Sequence, residues 1–133
     1  MKHGQRINRE YAYRESEDKF EMGCQWIDQN NLEKAEDCLK RSIELNENFI
    51  YAYITLAEVY GKQNRWHDGI SLLKKASGTD PYFDRLPYMI ARFALEAGDF
   101  ISALRFIGRA IELNPDPAYR KLEERIKFEM SVP

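Results

Sequence analysis

Cysteine and histidine are scarce, two of each in 133 residues, and neither type is grouped. Cys24 and Cys38 lack a further Cys or His at ligand spacing, and His3 and His67 stand equally alone. That indicates no structural zinc site and reads the thiols as small, buried or half-buried side chains in a reducing compartment rather than as a disulfide or metal ligands. The seven glycines fall singly, with no GxxxxGK[ST] or GxGxxG run to cradle a phosphate. Charge of one sign is missing too: 20 basic residues face 22 acidic ones, for a net charge of -2 and a pI near 5.8. A chain so balanced has no general attraction for nucleic acid or an anionic membrane. No apolar run approaches the length of a membrane span, since the best candidate, Ile50 to Tyr60, is short and broken by Glu58. Met1 to Arg6 carries charge without the apolar core of a secretory signal, so a cytoplasmic location is expected. Neighbouring acids such as Glu36-Asp37 and Glu123-Glu124 fall on expected solvent faces, and no nucleophile meets a base. Neither an enzyme nor a cofactor is expected.

What is present is a core and a period. A hydrophobic content of 44%, with 13% aromatics, suits one folded domain. Arg41 to Asn46 reads RSIELN, and Arg109 to Asn114 reads RAIELN, at a distance of twice thirty-four residues. Self-similarity at such a period marks a stacked repeat array. Units 16–49, 50–83 and 84–117 align without a gap and place Ala35, Gly69 and Ala103 at one position, Leu39, Leu73 and Ile107 at another, and Ser42, Ala76 and Ala110 at a third. Gly23, Ala57 and Ala91 keep the first helix of each unit slim, so that the second can approach. Asn30-Asn31, Asn64-Arg65 and Gly98-Asp99 lie between the two helices, where a left-handed residue ends one helix and a polar side chain caps the next. Pro81 and Pro115 close their units, Glu47 stands at the equivalent place of the first, and Pro87 fits only within a first helical turn.

This pattern resembles the tetratricopeptide repeat, over roughly three quarters of the chain. The resemblance implies an all-α fold, a right-handed solenoid of stacked antiparallel helix pairs. Within it, the third and tenth places of each first helix are Ala52 with Val59 and Leu86 with Phe93, both apolar pairs. In the first unit the same places hold Asp18 and Gln25, as suits an outer face in water. Residues 1–15, with Arg6, Arg9, Tyr11, Tyr13 and Arg14, form an arm that is either disordered or extends the first helix, with Asn8 as a possible cap. Residues 118–133 follow an Asp116-Pro117 start, and their stripe of Tyr119, Leu122, Ile126 and Met130 is that of a single capping helix.

Helical geometry leaves one face of each first helix outside the packing code. It carries Glu17, Phe20, Cys24 and Ile27, then Tyr51, Ile54, Glu58 and Gly61 with the adjacent Thr55, then Arg85, Tyr88, Arg92 and Leu95. Similarity to the family implies that this face lines a concave groove. So apolar a surface predicts a protein–protein interaction module, adaptor or chaperone-like, taking an amphipathic helix or extended segment of another protein. Phe20, Tyr51, Ile54 and Tyr88 would anchor it, with Arg85 and Arg92 meeting its acids. Family members that read acidic chaperone tails use a Lys, Asn and Arg clamp. The matching places here hold Phe20, Cys24, Thr55, Arg85 and Met89, so only Arg85 supplies the charge. The groove looks closer to the small bacterial chaperones of this family that shelter secretion substrates. A structural scaffold that self-associates or sits in a larger complex, through Tyr11, Tyr13 or the edge helices, is the alternative.

Overall fold

Three short turns organise the chain, and each bends at a residue that tolerates a positive φ: Asn30 at 59°, Asn64 at 57° and Gly98 at 81°. The structure, a computed structural model, describes residues 2–133, with side chains from Asn8 onward; Arg6 of the arm and His3 are therefore outside the described side chains. Among the described residues there are seven helices: α1 (Lys2–Asp28), α2 (Leu32–Leu45), α3 (Ile50–Lys62), α4 (Trp66–Thr79), α5 (Arg85–Glu96), α6 (Phe100–Leu113) and α7 (Pro117–Ser131). The fold class is all-α, of the solenoid type.

The turn chemistry follows the sequence reading in two of three places. Asn31 and Asp99 accept hydrogen bonds from the backbone N–H of Lys34 and Ser102, each at 3.1 Å, and so cap α2 and α6. Arg65 caps nothing; its Nε instead donates to Asp68 Oδ2 at 3.0 Å. At the other end, the backbone N–H of Asn46, Asp80 and Asn114 each donates to the carbonyl four residues back, on Ser42, Ala76 and Ala110. Pro87 lies in the first turn of α5, where its missing N–H has no intrahelical partner to lose. Asp116 caps α7 through the Ala118 N–H at 2.8 Å, with Pro117 beginning the helix.

Two expectations are corrected. Asn8 is no helix start, because α1 already runs from Lys2, and no proline interrupts it before Asp28. The α7 stripe stops at Ile126, since Met130 is 43% exposed: Phe128 and everything after it lies beyond what the helix packs against.

The chain divides into two compact units, 1–59 and 60–133. In the first, α1 packs on α2 through Gly23, where an added Cβ would come within 2.8 Å of Leu39 Cγ. Ser16 and Ser42, both fully buried, cross-brace the pair: each hydroxyl donates to the other's backbone carbonyl at 2.7 Å. Hydrogen bonds so made offset the cost of taking the two hydroxyls out of water. In the second unit α5 packs against α4 and α6, and α6 against α7. Ala91, Ala94, Ala103, Ile107 and Ala110 form its floor, closed by Tyr119, Leu122 and Ile126. Gly69 is indispensable to the packing of this unit, as its Cβ would meet Phe93 Cε2 at 2.4 Å.

Candidate functional site

The face left free by the packing code is found at the surface only in part. In the first unit Tyr51 is 56% exposed, while Phe20, Cys24, Ile27 and Thr55 are half-buried. Phe20 rests against Phe49 with ring centroids 5.0 Å apart. Burial pushes the Cys24 thiol above its ordinary pKa, with Asp28, Glu58 and Glu21 adding to the effect, so it is held as a neutral thiol rather than a nucleophile. Ile54 is only 3% exposed. Like Ala52, Tyr53, Leu56 and Ala57 of the same helix it is buried, and it has little surface to offer as an anchor.

In the second unit, Arg85 and Arg92 are exposed and Tyr88 is half-buried between its neighbours. The Tyr88 ring lies 4.7 Å from that of Tyr119, and the Arg92 guanidinium sits over it at 5.7 Å. Leu95 is 6% exposed and belongs to the core with Leu122. For Leu95 the reason is that a helix covered on two sides buries a wider arc than a one-sided stripe, and α5 shows it with eight buried residues in twelve.

Beside Tyr88, the Tyr119 hydroxyl donates to Asp84 Oδ2, and the Asn114 amide donates to the same oxygen at 3.3 Å. The hydrogen bond from Tyr119 holds the Asp84 carboxyl below its usual range, and burial together with Asp84 pushes the Tyr119 hydroxyl well above its own. These groups fasten α7 to the start of α5.

Sequence reasoning missed the concavity that the second unit does contain. Trp66 of α4, Arg92, Phe93, Leu95 and Glu96 of α5, and Leu122 and Arg125 of α7 line a cavity of about 150 Å³. Its members lie far apart in the sequence and share no spacing, so no motif announces it. Among the described residues no three His, Cys, Asp or Glu side chains gather as a metal site, and no helix is long and apolar enough to cross a membrane.

Models of the tetratricopeptide repeat match residues 62–126 and 27–49. No curated protein matches the sequence. Among solved structures, the chain is similar to the first TPR domain of Spaghetti (RPAP3) bound to the HSP90 peptide SRMEEVD, with TM-score 0.83 and 13% identity over 90% of this chain and 96% of that one. It is similar to the N-terminal domain of stress-induced protein-1 from C. elegans, with TM-score 0.82 and 18% identity over 87% and 97%. The Yersinia enterocolitica type III secretion translocator chaperone SycD gives TM-score 0.79 and 15% identity over 88% and 95%. At such identities the likeness is one of fold. With the repeat models matching on both sides of α3 and the same positive-φ turn recurring every thirty-four residues at 30, 64 and 98, the chain belongs to the tetratricopeptide repeat family, whose fold is that of protein–protein interaction modules.

Proposed function

We propose that this protein is a non-enzymatic module that binds an amphipathic segment of another protein. The observation that carries the reading is the surface of α5: two exposed arginines, Arg85 and Arg92, flank a half-buried tyrosine, Tyr88, over which one of them is stacked. Aromatic and arginine side chains are the residues from which binding hot spots are built, and this pair of types suits a segment with alternating acidic and apolar residues. On the first unit, Phe20, Cys24, Ile27, Tyr51 and Thr55 supply further apolar and small polar surface. An acidic-tail clamp is not part of the proposal, since Met89 is 1% exposed and Phe20 and Cys24 carry no charge. Repeat units 16–49, 50–83 and 84–117 with a capping helix remain the division that the reading uses. Two free thiols, Cys24 and Cys38, suit the reducing cytoplasm in which such an adaptor or chaperone-like protein would work.

The test is co-purification from the native cell to identify the partner, followed by titration with Tyr51→Glu and Arg85→Glu. Each substitution sits at an exposed side chain, and circular dichroism checks that the helices persist. Affinity is expected to fall by roughly tenfold for each, the scale of a modest hot spot. Full affinity in both folded variants would sink the reading. Self-assembly is the second reading, favoured by Tyr11 at 68% and Phe128 at 67% exposure on the outer helices. A single monomeric species at high concentration by sedimentation equilibrium removes it.

A further inference from the structure

We infer that the cavity between α4, α5 and α7 is an anchor pocket for one aromatic side chain of the partner segment, with a carboxylate next to it in that segment. The inference deepens the proposed function and rests on it. Size decides the class of occupant. Drug-sized and cofactor ligands occupy roughly 300–1,000 Å³, whereas an apolar cavity of roughly 150 Å³ holds a single benzene ring. The present cavity, at about 150 Å³, therefore fits one ring and no cofactor.

Its lining is fixed rather than soft. Phe93 is buried, Trp66 meets it edge-on at 5.4 Å and 72°, and its ring lies against Gly61 and Gly69, so Phe93 is held where it bounds the space. Leu95 and Leu122 complete an apolar floor. An aromatic guest would meet the Trp66 and Phe93 edges in the tilted geometry that rings favour.

Charge decides what stands next to the ring. Arg125 at the rim is already engaged: it lies 3.5 Å from Glu96 and 3.8 Å from Glu129. Arg92, on the same rim, rests over the Tyr88 ring and has no carboxylate within ion-pairing distance among the described residues. Its guanidinium is thus placed to take a carboxylate through two N–H groups while the neighbouring ring enters the pocket.

The experiment needs no native partner. The full chain, with the Trp66 indole N–H resonance assigned by comparison with Trp26→Phe, is titrated with three blocked dipeptide amides: acetyl-phenylalanyl-glutamyl, acetyl-phenylalanyl-glutaminyl and acetyl-alanyl-glutamyl. The first should shift the Trp66 signal saturably and leave that of Trp26 in place. Exchange of glutamyl for glutaminyl should weaken binding by roughly threefold, the scale of an exposed ion pair. Exchange of phenylalanyl for alanyl should weaken it by roughly tenfold or more. In Arg92→Gln, an exposed substitution, the preference for glutamyl should vanish while that for phenylalanyl stays. A Trp66 signal that ignores all three peptides, or responds equally to phenylalanyl and alanyl, overturns the pocket; a glutamyl preference that survives Arg92→Gln overturns the role of Arg92. A responsive Trp66 alongside full partner affinity in Tyr51→Glu and Arg85→Glu would separate a sound pocket from a failed general reading.

Discussion

Gly69 and Gly108 both lie inside a helix, where glycine costs about 1 kcal/mol relative to alanine. By propensity alone, alanine at either position should stabilise. Space reverses the sign at one of them. A Cβ on Gly108 meets nothing within 4 Å, whereas one on Gly69 comes within 2.4 Å of Phe93, a ring that is itself pinned by Trp66. Gly108→Ala should therefore raise the unfolding free energy by about 0.5–1 kcal/mol. Gly69→Ala should lower it by about 1–3 kcal/mol, as overpacking of a fixed core does. Urea titration of the two variants checks the opposed signs, and Phe93→Leu added to Gly69→Ala should recover part of the loss. That Gly69 must be small could be read from its alignment with Ala35 and Ala103. Its partner could not, because Phe93 is contributed by another helix.

At the scale of one element, α7 is held by packing and by a polar latch. Tyr119 donates to Asp84, whose carboxyl is thereby held below the reference value of 3.8, while the phenol is pushed above 10.0. The signs follow from linkage. A lowered carboxyl favours the folded state above the unfolded value and loses that contribution as pH falls from about 4 through the folded one. A raised phenol contributes fully below its unfolded value, and the contribution is lost as pH rises beyond about 10. The latch is thus complete between roughly pH 5 and pH 9. Tyr119→Phe keeps the ring against Tyr88 and removes the hydroxyl; it should cost about 1 kcal/mol at neutral pH, modest because Asp84 is partly exposed. Thermal melts across pH should show the gap between wild type and variant narrowing as pH falls from about 4 and as it rises beyond about 10.

For the molecule as a whole, the core of the second unit is open without α7. Tyr119, Leu122 and Ile126 are 7%, 8% and 0% exposed, and each buried side chain of this size is worth roughly 1.5–3 kcal/mol. Three of them sum to about 5 kcal/mol or more, as much as the entire stability of a marginal domain. Truncation before Pro117 should therefore yield a chain that fails to unfold cooperatively in calorimetry, or that associates through Ile107 and Leu95. Cooperative melting of a monomeric truncated chain near the wild-type midpoint would show that the covering helix is dispensable. Solenoids need such a lid because each helix pair presents an apolar face that only a neighbour can close.

The sequence by itself determined the helices, their turns and their phase, since these depend on neighbours within about four residues. A residue that tolerates positive φ at 30, 64 and 98 and polar caps at 31 and 99 act locally and repeat visibly. Tertiary structure decided which of the remaining residues meet water. Ile54 and Leu95 carry the same periodic signal as Tyr51 and Tyr88, yet they are buried while Tyr51 stays exposed, because burial depends on what arrives from distant helices. The pocket of Trp66, Arg92 and Leu122 was invisible for that reason: three helices supply it, and no spacing within one helix encodes a space between three.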